Sequence, residues 1–238
     1  MKSIFNTSKA LREDGTYDIG SPDVYSLLLG GGSSGYGNWD YVVLNDRTYY
    51  PAKNTTREKT IQTLITYYVP IFQSIGAGAI PVFISTHAYR VPSNKTKPLG
   101  DGDIHTYTSL VSSGVEEYTK VLSSYLTQSQ TPRIAYVGYA FEIVYQENYT
   151  LWERLFNIDD YHPSPHGTYL QGCIVYCTLF GTLPSEGIAV ALEDPADLFE
   201  YSRVMQPVGW TSGGDYLDKP TVWEAGYLYD VAGRVCMR

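Results

Sequence analysis

Trp39-Asp40-Tyr41-Val42-Val43-Leu44-Asn45-Asp46 is a short apolar run that closes on two polar residues. Such runs read as strands buried in a parallel sheet, and open α/β sheets place their chemistry at the carboxyl ends of these strands. Ile80-Pro81-Val82-Phe83-Ile84-Ser85-Thr86 repeats the pattern, and His87 follows at its end. Arg133-Ile134-Ala135-Tyr136-Val137-Gly138 reads as a third strand.

Helical spacing fills the gaps. Ile61, Leu64, Ile65, Tyr68, Ile71 and Phe72 predict a helix over 56–75, capped by Thr56 and kinked at Pro70. A second helix is expected over 104–126, with Leu110, Val111, Val115, Tyr118, Val121, Leu122 and Tyr125 on one broad face. Phe141 to Tyr145 starts another. Residues 167–180 form the next, with Leu170, Cys173, Ile174 and Cys177 as its core stripe and Gly181 as its stop. A last helix is expected over 221–235. Strand and helix therefore alternate, which predicts an α/β fold of three layers, α/β/α, around a parallel sheet with right-handed crossovers. Residues 1–30 read as helix and loop, with a short helical start at Ser8–Arg12 and Asp23 as a cap. Gly30 to Gly37 is a connection, because it lacks the preceding strand and following Lys-Ser/Thr of a phosphate loop.

Asp159-Asp160-Tyr161-His162-Pro163-Ser164-Pro165-His166-Gly167-Thr168-Tyr169-Leu170 carries the chemistry. It sets a carboxylate three residues before a histidine, in a turn that Pro163 and Pro165 stiffen against a helix start. Asp159 is placed to accept the imidazole N–H, fix the tautomer and stabilise the imidazolium that forms during proton transfer. His162 is then the general base. The competing reading is a helix-capping turn with a surface histidine. His87 is a candidate for substrate contact; its alternative is a hydrogen-bonded structural histidine.

The block Asp-x-x-His-Pro-Ser-x-x-Gly-x-Tyr-Leu resembles the last conserved block of the SGNH (GDSL-type) hydrolases. The resemblance implies Asp159 as the orienting acid and His162 as the base of a Ser-His-Asp triad. Trp-Asp-Tyr-Val-Val-Leu-Asn at 39–45 is similar to another block of that family, whose amide residue donates to the oxyanion; Asn45 takes that position. Where the wider family has glycine two residues earlier, this chain has Val43. The resemblance covers roughly residues 39–182. It implies an SGNH-hydrolase-like, flavodoxin-like single domain over 1–238, with residues 183–238 as a C-terminal extension.

The family's nucleophile block, Gly-Asp-Ser on a first strand, has no counterpart here. Ser3 and Ser8 lack the strand, and Ser33 and Ser34 lack both strand and context. Gly100-Asp101-Gly102-Asp103 lacks the serine and precedes a helix. The chain is thus expected to lack the fold's first strands, and to be inactive as given because a base without a nucleophile performs no covalent acyl transfer. Truncation of a serine esterase, with carbohydrate esters as one substrate class, is the leading reading. A non-catalytic glycan-binding relative using the tyrosines and Trp39 is the other. A metal site from Asp159, His162 and His166 is disfavoured, since Pro163 and Pro165 exclude the helical spacing of zinc motifs. No cofactor is expected.

Bulk properties narrow the rest. A net charge of −8 makes a nucleic-acid backbone an unsuitable partner. No apolar run approaches the ~20 residues that span a bilayer. The first residues carry no apolar signal segment, yet four of the seven Asn lie in Asn-x-Ser/Thr: Asn6, Asn54, Asn94 and Asn148. Chance would supply about one, so secretion is expected. Of the three cysteines, Cys173 and Cys177 fall one helical turn apart and are expected to be core residues, with Cys236 unassigned.

Overall fold

The computed structural model describes residues 39–74, 78–100, 102–184 and 220–236. The helices expected within residues 1–30, the glycine-rich stretch at 30–37 and most of the tail from 205 lie outside the described residues. The chain is a helix-rich α/β fold with a small parallel sheet. It divides into two compact units, one running to Thr86 and resuming over Lys95–Ala135, the other formed by His87–Asn94 and the chain from Tyr136.

The first unit holds the sheet. Among the described residues, β1 (Tyr41–Asn45), β2 (Ile80–Ile84) and β3 (Arg133–Ala135) pair in parallel in that order. Asn45 lies opposite Ile84, and Ile84 opposite Ala135, so the carboxyl ends are level. Leu44 and Phe83 pack with Tyr68, Ile71 and Phe72 and with Val115, Tyr118 and Leu122 of α3 (Ile104–Ser123). Each fully buried Leu or Phe contributes roughly 2 kcal/mol. Leu110 and Tyr125, expected on the same face, stand 38% and 46% exposed.

The crossover from β1 to β2 corrects one expectation and adds a detail to another. The helix begins at Asn54 and not at Thr56, whose hydroxyl donates back to the carbonyls of Tyr50 (2.8 Å) and Lys53 (3.0 Å). Ahead of Pro70, where a kink is expected, the helix changes its winding. α1 (Asn54–Thr63) widens into a π-helical turn over Leu64–Tyr68 before α2 (Val69–Ser74). Proline lacks an N–H and crowds the carbonyl four residues back; a wider turn just ahead of it relieves both conflicts.

Asp46 ties this unit together. Its buried carboxylate accepts from the hydroxyls of Thr60 and Tyr118, each at 2.9 Å, and from Arg47 N at 2.8 Å. Burial first, and the Asp46 charge second, push the Tyr118 and Tyr68 phenols well above their usual pKa, so both stay protonated. α3 is capped by Asp103, which accepts from His105 N and from the Thr106 hydroxyl.

The second unit is helical: α4 (Val137–Glu147), α5 (Tyr149–Arg154), α6 (Pro165–Phe180) and α7 (Val222–Cys236). The third strand, expected to reach Gly138, stops at Ala135, and α4 starts four residues before Phe141. The last ladder bond runs from Ser85 N to Ala135 O at 2.9 Å, and the chain turns into α4 directly after it. Val137, Ala140, Phe141 and Val144 bury instead at helical spacing.

The core stripe of α6 is buried as expected, and Gly181 closes the helix at φ 73°. Cys173 is a buried free thiol, and the two cysteines of α6 do not bond each other. Cys177 is buried in the core as expected, and it is also disulfide-bonded to Cys236 of α7, 59 residues on, a partner the sequence reading left unassigned. No spacing rule signals a partner that far away.

Candidate active site

The loop between α5 and α6 is built by its own polar residues. Asn157 N donates to His162 O at 2.7 Å, Asp160 N donates to Asn157 O at 3.1 Å, and Phe156 and Pro163 form an antiparallel bridge. Ser164 closes it. Its N–H donates to Leu155 O, its hydroxyl donates to Arg154 O at 2.5 Å, and its oxygen caps α6 by accepting from His166 N and Gly167 N.

Inside this loop Asp159 Oδ1 accepts from the backbone N–H groups of Tyr161 (3.2 Å) and His162 (3.0 Å), while Oδ2 lies 2.5 Å from His162 Nδ1. One carboxylate thus shapes the turn and binds the ring. The Nδ1–H donates to Asp159, which leaves Nε2 as the basic nitrogen of the neutral imidazole. Partial burial raises the Asp159 carboxyl, but the bonds from the His162 ring and the two backbone N–H groups outweigh it and hold the group below the usual carboxylate range. The His162 side chain is 43% exposed and that of Asp159 22%, so the pair is accessible.

His87 lies behind the loop. It is 6% exposed, stacked on Phe141 at 4.2 Å and edge-on to Phe156. Its Nε2–H donates to Tyr161 O at 3.1 Å. Burial lowers its pKa, the Tyr161 carbonyl opposes this, and the nearby His162 adds to it, bringing the ring down to about 4. It is a neutral, hydrogen-bonded histidine supporting the residue next to the base.

Sequence reasoning missed Arg90. Its Nε donates to Asp160 Oδ1 at 2.6 Å, its backbone N–H donates to Asp160 O at 2.8 Å, and its Nη1 donates to Glu153 O at 3.1 Å. A contact across 70 residues leaves no local signal. Tyr161, 47% exposed, sets its ring 4.7 Å from that of His162, with Tyr89 beyond it at 5.6 Å.

Asn45 is exposed at the carboxyl end of β1, in the first unit. His166 is buried on α6 with Nε2 3.5 Å from Glu224 of α7, away from any ligand set with His162: among the described residues, no group of three or more His, Cys, Asp or Glu is arranged to hold a metal. Among the same residues, no helix is long and apolar enough to cross a membrane.

No protein-family model and no curated protein matches the chain. Among solved structures it is similar to a DUF4886 family protein from Bacteroides uniformis. The TM-score is 0.59 at 15% identity, over 95% of this chain and 71% of that one. It is also aligned with a candidate SGNH hydrolase from Slackia heliotrinireducens, at TM-score 0.43 and 19% identity, over 67% of this chain and 80% of that one. The first likeness establishes a shared α/β fold; at these identities neither assigns the chain to a family.

Proposed function

We propose that the Asp159–His162 loop is the acid–base half of an SGNH-type acyl-hydrolase site acting on ester bonds. The observation that carries this reading is the 2.5 Å contact from Asp159 Oδ2 to His162 Nδ1, on a turn held by the same carboxylate. In this role His162 Nε2 takes the proton of a serine hydroxyl as its oxygen attacks the ester carbonyl carbon. It returns that proton to the departing alkoxide. A water then attacks the acyl-enzyme, giving its proton to the same nitrogen, and the serine is regenerated. Asp159 stabilises the imidazolium at each step.

No serine is identified as nucleophile among the described residues. The hydroxyls of Ser85 and Ser112 lie 3.0 Å apart and bond each other, and Ser164 caps α6. The exposed asparagines of the sequons at Asn54 and Asn94 and the Cys177–Cys236 disulfide support a secreted glycoprotein, since disulfides persist in oxidising compartments. The exposed Tyr161 ring beside His162 supports a carbohydrate ester as substrate. The test is turnover of p-nitrophenyl acetate and acetylated sugars by the protein as its native cells make it, beside its His162→Ala variant. Loss to background is expected; retained turnover overturns the assignment.

The same aromatic rim favours a second reading, a glycan-binding module without turnover. Trp39, named with the tyrosines in that reading, is packed against the core of the first unit. Sugar binding with no ester turnover and no labelling by fluorophosphonate probes would select this reading.

A further inference from the structure

The segment after β2 grips the two residues that separate Asp159 from His162. Arg90 binds Asp160 twice, through its backbone N–H to the carbonyl and through its guanidinium to the carboxylate, while His87 binds the carbonyl of Tyr161. Among the described residues Asp160 alone, apart from glycine, has positive φ, at 68°. Left-handed backbone costs an aspartate on the order of 1 kcal/mol and persists where the surroundings over-determine it. Here those surroundings are the loop's own bonds, among them Asp160 N–H to Asn157 O, and the grip of Arg90 from outside it. Relaxation of Asp160 to negative φ would redirect the chain between Asp159 and His162 and separate Oδ2 from Nδ1.

We propose that Arg90 is a positioning residue for the general base. It fixes the left-handed turn at Asp160, and so the Asp159–His162 hydrogen bond, without touching substrate. His87 assists by fixing the next carbonyl. The inference rests on the reading of Asp159 and His162 as a catalytic pair. An ordinary exposed ion pair would do little of this. This one is partly buried, with side chains 30% and 32% exposed, and Arg90 also reaches the Glu153 carbonyl, so its fork bridges α5 and the loop. Lysine has no such fork.

The test follows the His162 Nδ1–H proton by NMR in the full chain labelled with ¹⁵N-histidine, in wild type and in the Asp159→Asn, Arg90→Ala and Asp160→Asn variants. Asp160→Asn keeps a residue that tolerates positive φ but removes the charge that Arg90 grips. Arg90→Ala and Asp160→Asn are expected to speed solvent exchange of that proton about tenfold, the factor carried by one charge-assisted hydrogen bond. Should Arg90→Ala fail to fold, Asp160→Asn decides. Exchange at the wild-type rate in folded Asp160→Asn overturns the proposal and leaves the catalytic pair standing. An Nδ1–H signal indifferent to Asp159→Asn overturns the pair, and the proposal with it.

Discussion

The α-carbon of Gly167 lies so close to the Leu155 carbonyl that a Cβ there would sit 2.2 Å from the oxygen. Pro163 and Phe141 crowd the same point at 3.0 and 3.1 Å. Glycine at 167 is therefore a packing requirement where α6 meets the end of the Asp159–His162 loop. Gly167→Ala should destabilise the fold by about 3 kcal/mol, because a backbone oxygen cannot swing aside as a side chain can. Urea unfolding of the variant beside Gly172→Ala, whose Cβ meets nothing within 4 Å, checks this.

His87 makes stability depend on pH. Its folded pKa, about 4, lies below its ordinary 6.5, so the unfolded chain binds more protons between those values. The contribution of His87 is full above pH 6.5, declines as pH falls towards 4, and changes no further below that. The total is about 3 kcal/mol, since each tenfold loss of proton affinity on folding is worth about 1.4 kcal/mol. His87→Phe keeps a ring on Phe141 but cannot titrate. Urea melts at several pH values should show wild type losing its margin over this variant across that window; parallel curves would refute the buried neutral histidine.

The carboxylate of Asp159 should matter through charge and tautomer more than through shape. In the native-cell protein, Asp159→Asn is expected to lower kcat roughly 10³–10⁴-fold with KM little changed, because the amide favours the wrong imidazole tautomer. Steady-state kinetics on p-nitrophenyl acetate measure it.

Reduction of Cys177–Cys236 should cost about 4 kcal/mol, the chain-entropy value for a loop of this length. Denaturant midpoints with and without reductant give the number. Thiol titration of the unreduced, unfolded chain should find Cys173 alone. Burial raises that thiol to about 11, so it should stay unreactive while the fold holds.

Asp46→Ala should cost about 3 kcal/mol, since it strands the hydroxyls of Thr60 and Tyr118 in the core. Tyr118→Phe removes one donor and keeps the ring, so it should cost less. Thermal unfolding of both variants gives the order.

Legibility from sequence followed the range of each interaction. Strands β1 and β2 announced themselves as apolar runs, and the Asp159 turn was readable because carboxylate, ring and proline lie within five residues. Gly181 and the stripe of α6 were equally local. The start of α4 was not, because Arg133 to Gly138 reads as one strand, whereas the chain turns into α4 after Ala135. At Pro70 the sequence pointed to a kink but not to the widened turn just ahead of it. Arg90–Asp160 and Cys177–Cys236 join positions 70 and 59 residues apart, and no periodicity carries such information.

The disulfide also changes what a protease can accomplish. Cys177 and Cys236 close the chain between them into a covalent ring, so one cut anywhere inside that ring severs no piece from the molecule. A nicked protein would run as a single species on a non-reducing gel and as two on a reducing one. The helix ending at Cys236 would stay tethered to α6, able to find its place again without a search through solution.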